Sequence, residues 1–542
     1  MIKIPNSVKT FLSDKRVTSV ILAVSIVSRV IQLIFFFNIG MDASFQFIAM
    51  KNLVEGHSIS LDLVLPSDLS TIIYPPLSRW PPGYSLLLVP LYLLFGKNYV
   101  AAGLTLSILG GITLIFITRK ILKVLNVPLY LINIYTLIAG FFIYQFYFIA
   151  SSDGIAIPLF FVAVYYAVSL LKNDNSWKRK TLFITATLFA CGTIKYLFVP
   201  IVFIIPAFLI LKGHKDNRTQ ILKSGIYSFF ALILALGIML GYLKYTSGSA
   251  GYISAPGRGF FPGHLFAEYP FGPSSFIRSE TIGLLFPNNP SLERVVYHIF
   301  QGIHLLFLGA IVFVIIKQFW RGGIKGTHVT QSFFYISAFT CLALTGLLAT
   351  LSLCVEQEIW DNGYRWTYIE DQRYYGACFV FMHLGVFVAY TYYFRRKWRS
   401  SKYLFYFLFL LLLTEASRGM VFTAHRILKL KYEEYSWQYE CRFQKYADQI
   451  IKKEKQERLV VVTGSVRYFN NRVSLYSHVP ILLDAAKINE PGSLKTEVPV
   501  LLLVILRQNN LSGFQPFLAT KEKELAGHFD DFYFYKLYVS PQ

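Results

Sequence analysis

The chain has 542 residues, of which 54% are hydrophobic and only 15% are charged, against roughly 25% charged residues in soluble domains. Apolar runs recur from Val17 to about Phe422, which excludes an ordinary soluble protein and predicts a polytopic helical membrane protein. The formal net charge of +22 does not indicate nucleic-acid binding, because the basic residues lie at helix ends, where they meet anionic lipid headgroups.

The first predicted element is a membrane span over Val17 to Ile39, which is apolar except for Ser, Thr, Arg29 and Gln32. As a helix it rises about 35 Å, enough to cross a bilayer core of about 30 Å. Since a charged side chain inside a span is costly, we expect Arg29 to be buried toward the protein interior. Four basic residues precede the span and predict a cytoplasmic N-terminus: Lys3, Lys9, Lys15 and Arg16.

Ten further spans are predicted along the chain, near residues 99–118, 127–149, 154–171, 181–195, 196–211, 222–245, 302–319, 332–353, 374–394 and 403–424. Every second connection between spans is basic, and the positive-inside rule therefore places those connections in the cytoplasm. On the opposite, outer side the predicted loops are long and cover residues 40–98, 246–301 and 354–373. The second of these is rich in Gly, Pro and aromatic residues, a composition that favours a binding loop or lid.

Asp42 stands just beyond the first span, in the stretch Gly40 to Phe45. At the boundary between lipid and water, the surroundings of a carboxylate can tune its pKa and its reach for proton abstraction. The alternative for a single aspartate is a helix cap or a solvated side chain. Further along the same loop, Ser78 to Tyr84 holds two prolines, and the apolar stretch from Ser85 to Phe95 predicts a short helix lying along the membrane interface.

The segment after residue 425 has the pattern of a small α/β domain. An amphipathic helix is predicted around Glu433 to Lys455, with strand-like runs at Leu459–Thr463, Val498–Leu506 and Phe532–Val539. We therefore divide the chain into a membrane domain, residues 1–425, and an outer α/β domain, residues 426–542. Cys354 and Cys441 both fall outside the membrane in this topology and could pair.

Several motifs in this order resemble the GT-C glycosyltransferases, and more narrowly the protein O-mannosyltransferases and lipid A aminoarabinose transferases of glycosyltransferase family 39. The resemblance covers roughly residues 17–395 and is carried by Arg29 with Asp42, Trp80-Pro81-Pro82-Gly83-Tyr84 with Leu94-Phe95-Gly96, Ser151-Ser152-Asp153, Gly192-Thr193-Ile194-Lys195 and Gln372-Arg373-Tyr374-Tyr375.

The resemblance implies a sugar donor carried on a polyprenyl phosphate, with Asp42 as the catalytic base. The family often has an acidic pair at this point, whereas Met41-Asp42-Ala43 offers one acid, which weakens the case for a bridging metal. No cofactor is therefore predicted; a divalent cation is an open alternative that the sequence does not support. Trp80 stands where the aminoarabinose enzymes have a lysine, with Arg79 beside it, so specificity for aminoarabinose is not expected.

The substrate-binding candidates are Lys195 and Arg373 as phosphate clamps, Asp153 as a lining residue of the sugar pocket, and Arg79 and Tyr374 as further residues that contact substrate. Each has a simpler interpretation. Lys195 could extend from a span end toward water, Arg373 could pair with a neighbouring acid (Glu370 or Asp371), Asp153 could cap the helix that follows it, and Arg79 could be solvated.

The sequence thus predicts an all-α polytopic membrane protein of the GT-C type, with about eleven spans and an extracytoplasmic α/β domain. We expect an inverting glycosyltransferase of a bacterial inner membrane, acting from a polyprenyl-phosphate sugar on a lipid, glycan or protein acceptor, without nucleic acid as a partner. A transporter or flippase of lipid-linked substrates is the alternative, and a non-enzymatic assembly factor is a third interpretation.

Overall fold

The structure, a computed structural model, describes residues 5–37, 39–144, 151–248, 259–266, 276, 295, 299, 328–355, 358–359, 365–366, 372–394, 399–429, 436–454, 458–465, 467–482 and 484–541. The predicted span 302–319 and most of the predicted loops 246–301 and 354–373 lie outside these residues. Eight helices in the described part are long and apolar enough to cross a membrane, which confirms an integral, polytopic helical protein. The total of eleven spans stays a prediction.

The first half of the described chain is helical apart from one β-hairpin in the first loop, residues 40–98. In chain order its elements are α1 (Asn6–Leu12), α2 (Lys15–Phe36), α3 (Met41–Val54), β1 (Leu63–Leu65), β2 (Asp68–Ile73), α4 (Gly83–Leu94), α5 (Tyr99–Val124), α6 (Leu129–Phe141), α7 (Asp153–Lys172), α8 (Trp177–Ile194), α9 (Phe198–Ile201), α10 (Ile204–Lys215) and α11 (Thr219–Ser247).

The second half adds three long helices and then the α/β segment. Its elements are α12 (His328–Cys354), β3 (Glu358–Ile359), β4 (Arg365–Trp366), α13 (Gly376–Ala389), α14 (Arg399–Lys429), α15 (Ser436–Glu454), β5 (Leu459–Gly464), α16 (Arg467–Ser477), β6 (Ile481–Leu482), β7 (Val500–Arg507), α17 (Gln515–Ala519), β8 (Lys523–Phe529) and β9 (Phe532–Val539). The exposed Cys354 at the end of α12 carries a free thiol.

Helix α6 ends eight residues earlier than predicted from the apolar run, and the chain continues as extended backbone from Phe142. The carbonyl groups of a helix that ends among apolar side chains need donors, because no water reaches them there. The Arg29 guanidinium on α2 donates two hydrogen bonds, one to Ala139 O and one to Phe142 O at 2.7 Å. Gln32 donates to Phe141 O at 3.0 Å. The prediction that Arg29 is buried is confirmed, with 1% of its surface exposed.

Helices α5 and α7 approach each other closely at a pair of glycines. A Cβ added to Gly110 would lie 2.2 Å from the carbonyl oxygen of Gly154. Small residues allow membrane helices to pack backbone against backbone in this way. Because Gly154 follows Asp153, the contact holds the start of α7, and with it the Asp153 backbone, against α5.

The sheet has seven strands in the order β2-β1-β6-β5-β7-β9-β8. The three predicted strand runs form β5, β7 and β9, and α15 corresponds to the predicted amphipathic helix. The sheet is not built from residues 426–542 alone, since β1 and β2 come from the first loop and β1 pairs in parallel with β6. Two segments that are far apart in sequence therefore share one sheet.

A buried ion pair connects this hairpin to α3. The Lys51 ammonium lies 2.7 Å from a carboxylate oxygen of Asp62, and Lys51 is only 3% exposed. Asn52 donates to Ser60 O at 3.0 Å and also to the Asp62 carboxylate. The Ile481 N–H of β6 donates to Asp62 O at 2.9 Å. The C-terminal end of α3 is thus connected through Asp62 to strands β1 and β6 of the sheet.

We expect Arg29→Met to lower the free energy of unfolding by about 2–4 kcal/mol, because buried carbonyl groups at the end of α6 lose their donors. Thermal unfolding of the detergent-solubilised protein measures the change. Val27→Ala, at an exposed position of the same helix, should remain within about 0.5 kcal/mol of wild type. Unfolding of Arg29→Met at the wild-type temperature would contradict the capping role.

Asp62→Leu should destabilise the protein by about 3–5 kcal/mol, since it leaves the Lys51 ammonium buried without its carboxylate. The double variant Lys51→Met/Asp62→Leu should recover most of that loss, because no charge remains buried. Equilibrium unfolding of the three proteins gives both values. As a control, Glu490→Leu breaks the exposed Lys487–Glu490 pair and should have little effect. A double variant no more stable than Asp62→Leu would show that the pair is not the cause.

Candidate functional site

Asp42 lies in the first turn of α3, directly after α2 ends. The positive end of the helix dipole stabilises a carboxylate in this position. Its side chain is 33% exposed, and one of its oxygens lies 3.8 Å from a guanidinium nitrogen of Arg373. That separation is an ion pair and is too long for a hydrogen bond. Asp42 is therefore reachable from solvent and has a cation beside it.

The ring of Tyr374 lies close to two cations. Arg373 and Tyr374 belong to a 3-10 turn, Gln372–Tyr375, that leads directly into α13. The guanidinium carbon of Arg373 lies 5.6 Å from the centre of the Tyr374 ring, and the Lys195 ammonium lies 4.4 Å from the same centre. Aromatic faces attract cations at these distances, so the ring brings Lys195 close to Arg373, the cation that is paired with Asp42.

Lys195 follows the last residue of α8, and its ammonium is paired with the carboxylate of Asp153 at the start of α7. The two side chains are 14% and 2% exposed, so neither charge is fully solvated. Asp153 is not the cap of α7, because Ser152 holds that position and no side-chain cap bond forms. The capping interpretation of Asp153 is thus wrong, and the ammonium of Lys195 is held by Asp153.

Tyr84 lies near this pair, and the sequence predicted no site role for it. Its residue surface is 1% exposed, and its hydroxyl has no hydrogen-bond partner among the described residues. The second oxygen of Asp153 is likewise buried and without a partner in the described part of the chain. Burial, and then the Asp153 charge, raise the pKa of Tyr84. The sequence placed Tyr84 in a motif but gave it no role, because tyrosines are common at membrane interfaces.

The turn that precedes α4 packs against the end of α8. A Cβ added to Gly83 would lie 2.6 Å from Thr193 O, so only glycine allows the two backbones to approach this closely. The Tyr196 hydroxyl donates to Ser78 O at 2.9 Å. Residues 78–83 are thereby attached to the segment that carries Lys195.

The structure brings five of the six predicted site residues to one end of the helix bundle: Asp42, Asp153, Lys195, Arg373 and Tyr374. Arg79 is exposed on the turn before α4, and none of the described contacts joins it to the other five. Within the described residues, no group of three or more His, Cys, Asp and Glu side chains is placed to hold a metal ion. The catalytic and binding roles of these residues stay predictions.

Gly83→Ala should destabilise the protein by about 1–3 kcal/mol, because the new methyl group meets a backbone oxygen that cannot move aside alone. Thermal unfolding measures the loss. Gly346→Ala in α12 is the matched control, since an added Cβ there has no atom within 4 Å. Equal unfolding temperatures for the two variants would show that the turn before α4 can shift without cost.

No protein-family model and no curated protein matches this chain. Among solved structures, it is similar to the Archaeoglobus fulgidus oligosaccharyltransferase tethered with an acceptor peptide containing the NVT sequon. The TM-score is 0.50 at 9% identity, over 98% of this chain and 74% of that chain. For ArnT from Cupriavidus metallidurans bound to undecaprenyl phosphate, the TM-score is 0.40 at 12% identity, over 96% of both chains. The chain has the GT-C fold, as its motifs predicted.

Proposed function

We propose that this protein is a membrane glycosyltransferase that moves a sugar from a polyprenyl-phosphate donor to an acceptor. The observation that carries the proposal is the meeting of Asp42, Arg373, Tyr374 and Lys195 at one end of the bundle. A carboxylate beside one cation, with a second cation at the same tyrosine ring, suits a reaction that removes a proton at one point and releases a phosphate nearby. The GT-C fold supports the same reaction class.

In this reaction Asp42 is the general base. A hydroxyl or amide acceptor is a weak nucleophile until its proton is removed, and a positioned carboxylate typically contributes about 10²–10⁴-fold. The acceptor atom forms a bond to the anomeric carbon while the bond from that carbon to the phosphate oxygen breaks. The proton goes to Asp42, and the electron pair leaves with the polyprenyl phosphate. A single displacement of this kind inverts the anomeric centre.

Arg373 stabilises the leaving phosphate, and its pairing with Asp42 couples the two events. While Asp42 is ionised, its charge partly offsets that of the guanidinium 3.8 Å away. When Asp42 takes the proton it becomes neutral, so the full charge of Arg373 is then available as negative charge grows on the phosphate. Arginine suits this role because its fixed donors match phosphate oxygens.

Lys195 is the second cation of the phosphate site, and Asp153 fixes its position. The pair lies deeper than Asp42, since the Asp153 side chain is 2% exposed and that of Asp42 33%. A cation held by a buried carboxylate loses little side-chain entropy when a ligand binds. The site lies on the side of the membrane that carries the C-terminal sheet, which we predict to be extracytoplasmic in a bacterial inner membrane.

Asp42→Asn should lower sugar transfer by about 10²–10⁴-fold without weakening donor binding, because the amide cannot accept the proton while Arg373 keeps its charge. Membranes that contain wild type or variant at equal protein levels are supplied with a panel of radiolabelled polyprenyl-phosphate sugars, and transfer to endogenous acceptors is measured. Asp530→Asn is the matched control: Asp530 is exposed in the left-handed region, φ 49°, which asparagine also accepts.

Three outcomes separate the possibilities. Loss of transfer in Asp42→Asn alone supports both the reaction class and the base. Equal transfer by wild type and Asp42→Asn would remove Asp42 from the mechanism. If wild type consumes no donor from the panel yet moves labelled lipid across proteoliposome membranes, the protein is a transporter and the proposal is wrong.

A further inference from the structure

A stacked aromatic pair lies beside the proposed base. The rings of Phe45 and Trp80 have centroids 4.7 Å apart and planes inclined by 24°. Phe45 follows Asp42 by one helical turn on α3, so the two side chains project from neighbouring positions of one face. Both rings are partly exposed, whereas the next aromatic residue along α3, Phe47, is fully buried. The pair is therefore partly accessible to solvent, one helical turn from Asp42, and is not part of the buried core.

The position of Trp80 is set by the segment that carries Lys195. Trp80 lies in the turn before α4, which is attached to that segment through the contact of Gly83 with Thr193 and the hydrogen bond from Tyr196 to Ser78. Its ring at the same time stacks on α3, the helix of Asp42. Trp80 thus bridges the element with the proposed base and the element with a proposed phosphate cation.

We propose that Trp80 and Phe45 form an aromatic platform for the sugar ring of the donor. This inference rests on the proposed function, in which the transferred sugar must lie between the phosphate and the base. A sugar ring presents an apolar face of C–H groups together with polar edges. Partly exposed aromatic rings bordered by charged side chains match both parts of such a ligand.

The platform contacts the sugar and not the lipid phosphate. The proposal can therefore be tested by comparing the binding of a sugar-loaded and a sugar-free lipid. Equilibrium binding to the detergent-solubilised protein is measured for undecaprenyl phosphate, as the sugar-free probe, and for a panel of undecaprenyl-phosphate hexoses. Wild type should bind at least one hexose-loaded lipid more tightly than undecaprenyl phosphate. Trp80→Ala should weaken binding of the hexose-loaded lipid by roughly 10-fold, because the sugar loses its apolar contact with the indole face, and leave binding of undecaprenyl phosphate within about 2-fold.

Two variants separate the platform from general packing. Trp80→Phe retains an aromatic face and should keep most of the preference for the sugar-loaded lipid. Tyr74→Ala removes a different stacked pair of the first loop, that of Tyr74 with His57 at 3.7 Å, and should leave both affinities unchanged. Unfolding temperatures of all variants show whether any loss comes from the fold.

The proposal is overturned if Trp80→Ala lowers the affinity for both lipids equally or lowers neither affinity. It is also overturned if wild type binds no hexose-loaded lipid more tightly than undecaprenyl phosphate. Failure of the proposed function gives a different result: wild type prefers the sugar-loaded lipid and Trp80→Ala loses that preference, yet no sugar is transferred. Binding and transfer therefore test the two inferences separately.

Discussion

Burying a cation among apolar side chains is costly unless fixed acceptors meet it, and this constraint ties the distant parts of the chain together. Arg29 meets the carbonyl groups at the end of α6, Lys51 meets Asp62 beside β1, and Lys195 meets Asp153 at the start of α7. In each case the partner lies on another element. The buried ionic and polar contacts thus determine which elements must be neighbours. The apolar side chains around them determine that these elements are buried.

The candidate site depends on two of these pairs. Helix α3 presents Asp42 at its N-terminal end, and its C-terminal end is bonded through Lys51 and Asp62 to the hairpin that completes the C-terminal sheet. The pair of Lys195 with Asp153 joins the end of α8 to the start of α7. The position of the proposed base is therefore fixed by contacts to the sheet, and the position of the proposed phosphate site by contacts within the helix bundle.

The electrostatic balance of the site follows from the same pairs. Asp42 and Arg373 are partly exposed and separated by 3.8 Å, whereas Asp153 and Lys195 are in direct contact and less exposed. Charges near solvent interact weakly and can exchange partners, and charges in a drier environment interact more strongly. The outer pair is accordingly suited to chemistry in which one member changes its charge, and the inner pair to holding a cation in place.

The sequence by itself determined the membrane class, most of the helices, the short helix α4 and the strand runs of the C-terminal segment. These features depend on length and on hydrophobic periodicity, which are local properties of the chain. The resemblance of its motifs also led to Asp42, Lys195 and Arg373, although their neighbours in sequence gave no sign of which acid each cation would meet.

Only the tertiary structure decided the early end of α6, the insertion of the first-loop hairpin into the C-terminal sheet, and the burial of Tyr84 beside Asp153. The helix end is stable because Arg29, far away in the chain, donates to carbonyl groups that α6 cannot satisfy itself. The hairpin is short and pairs with a strand from the other end of the chain. Contacts of this kind are properties of three-dimensional packing, and no pattern within one segment contains them.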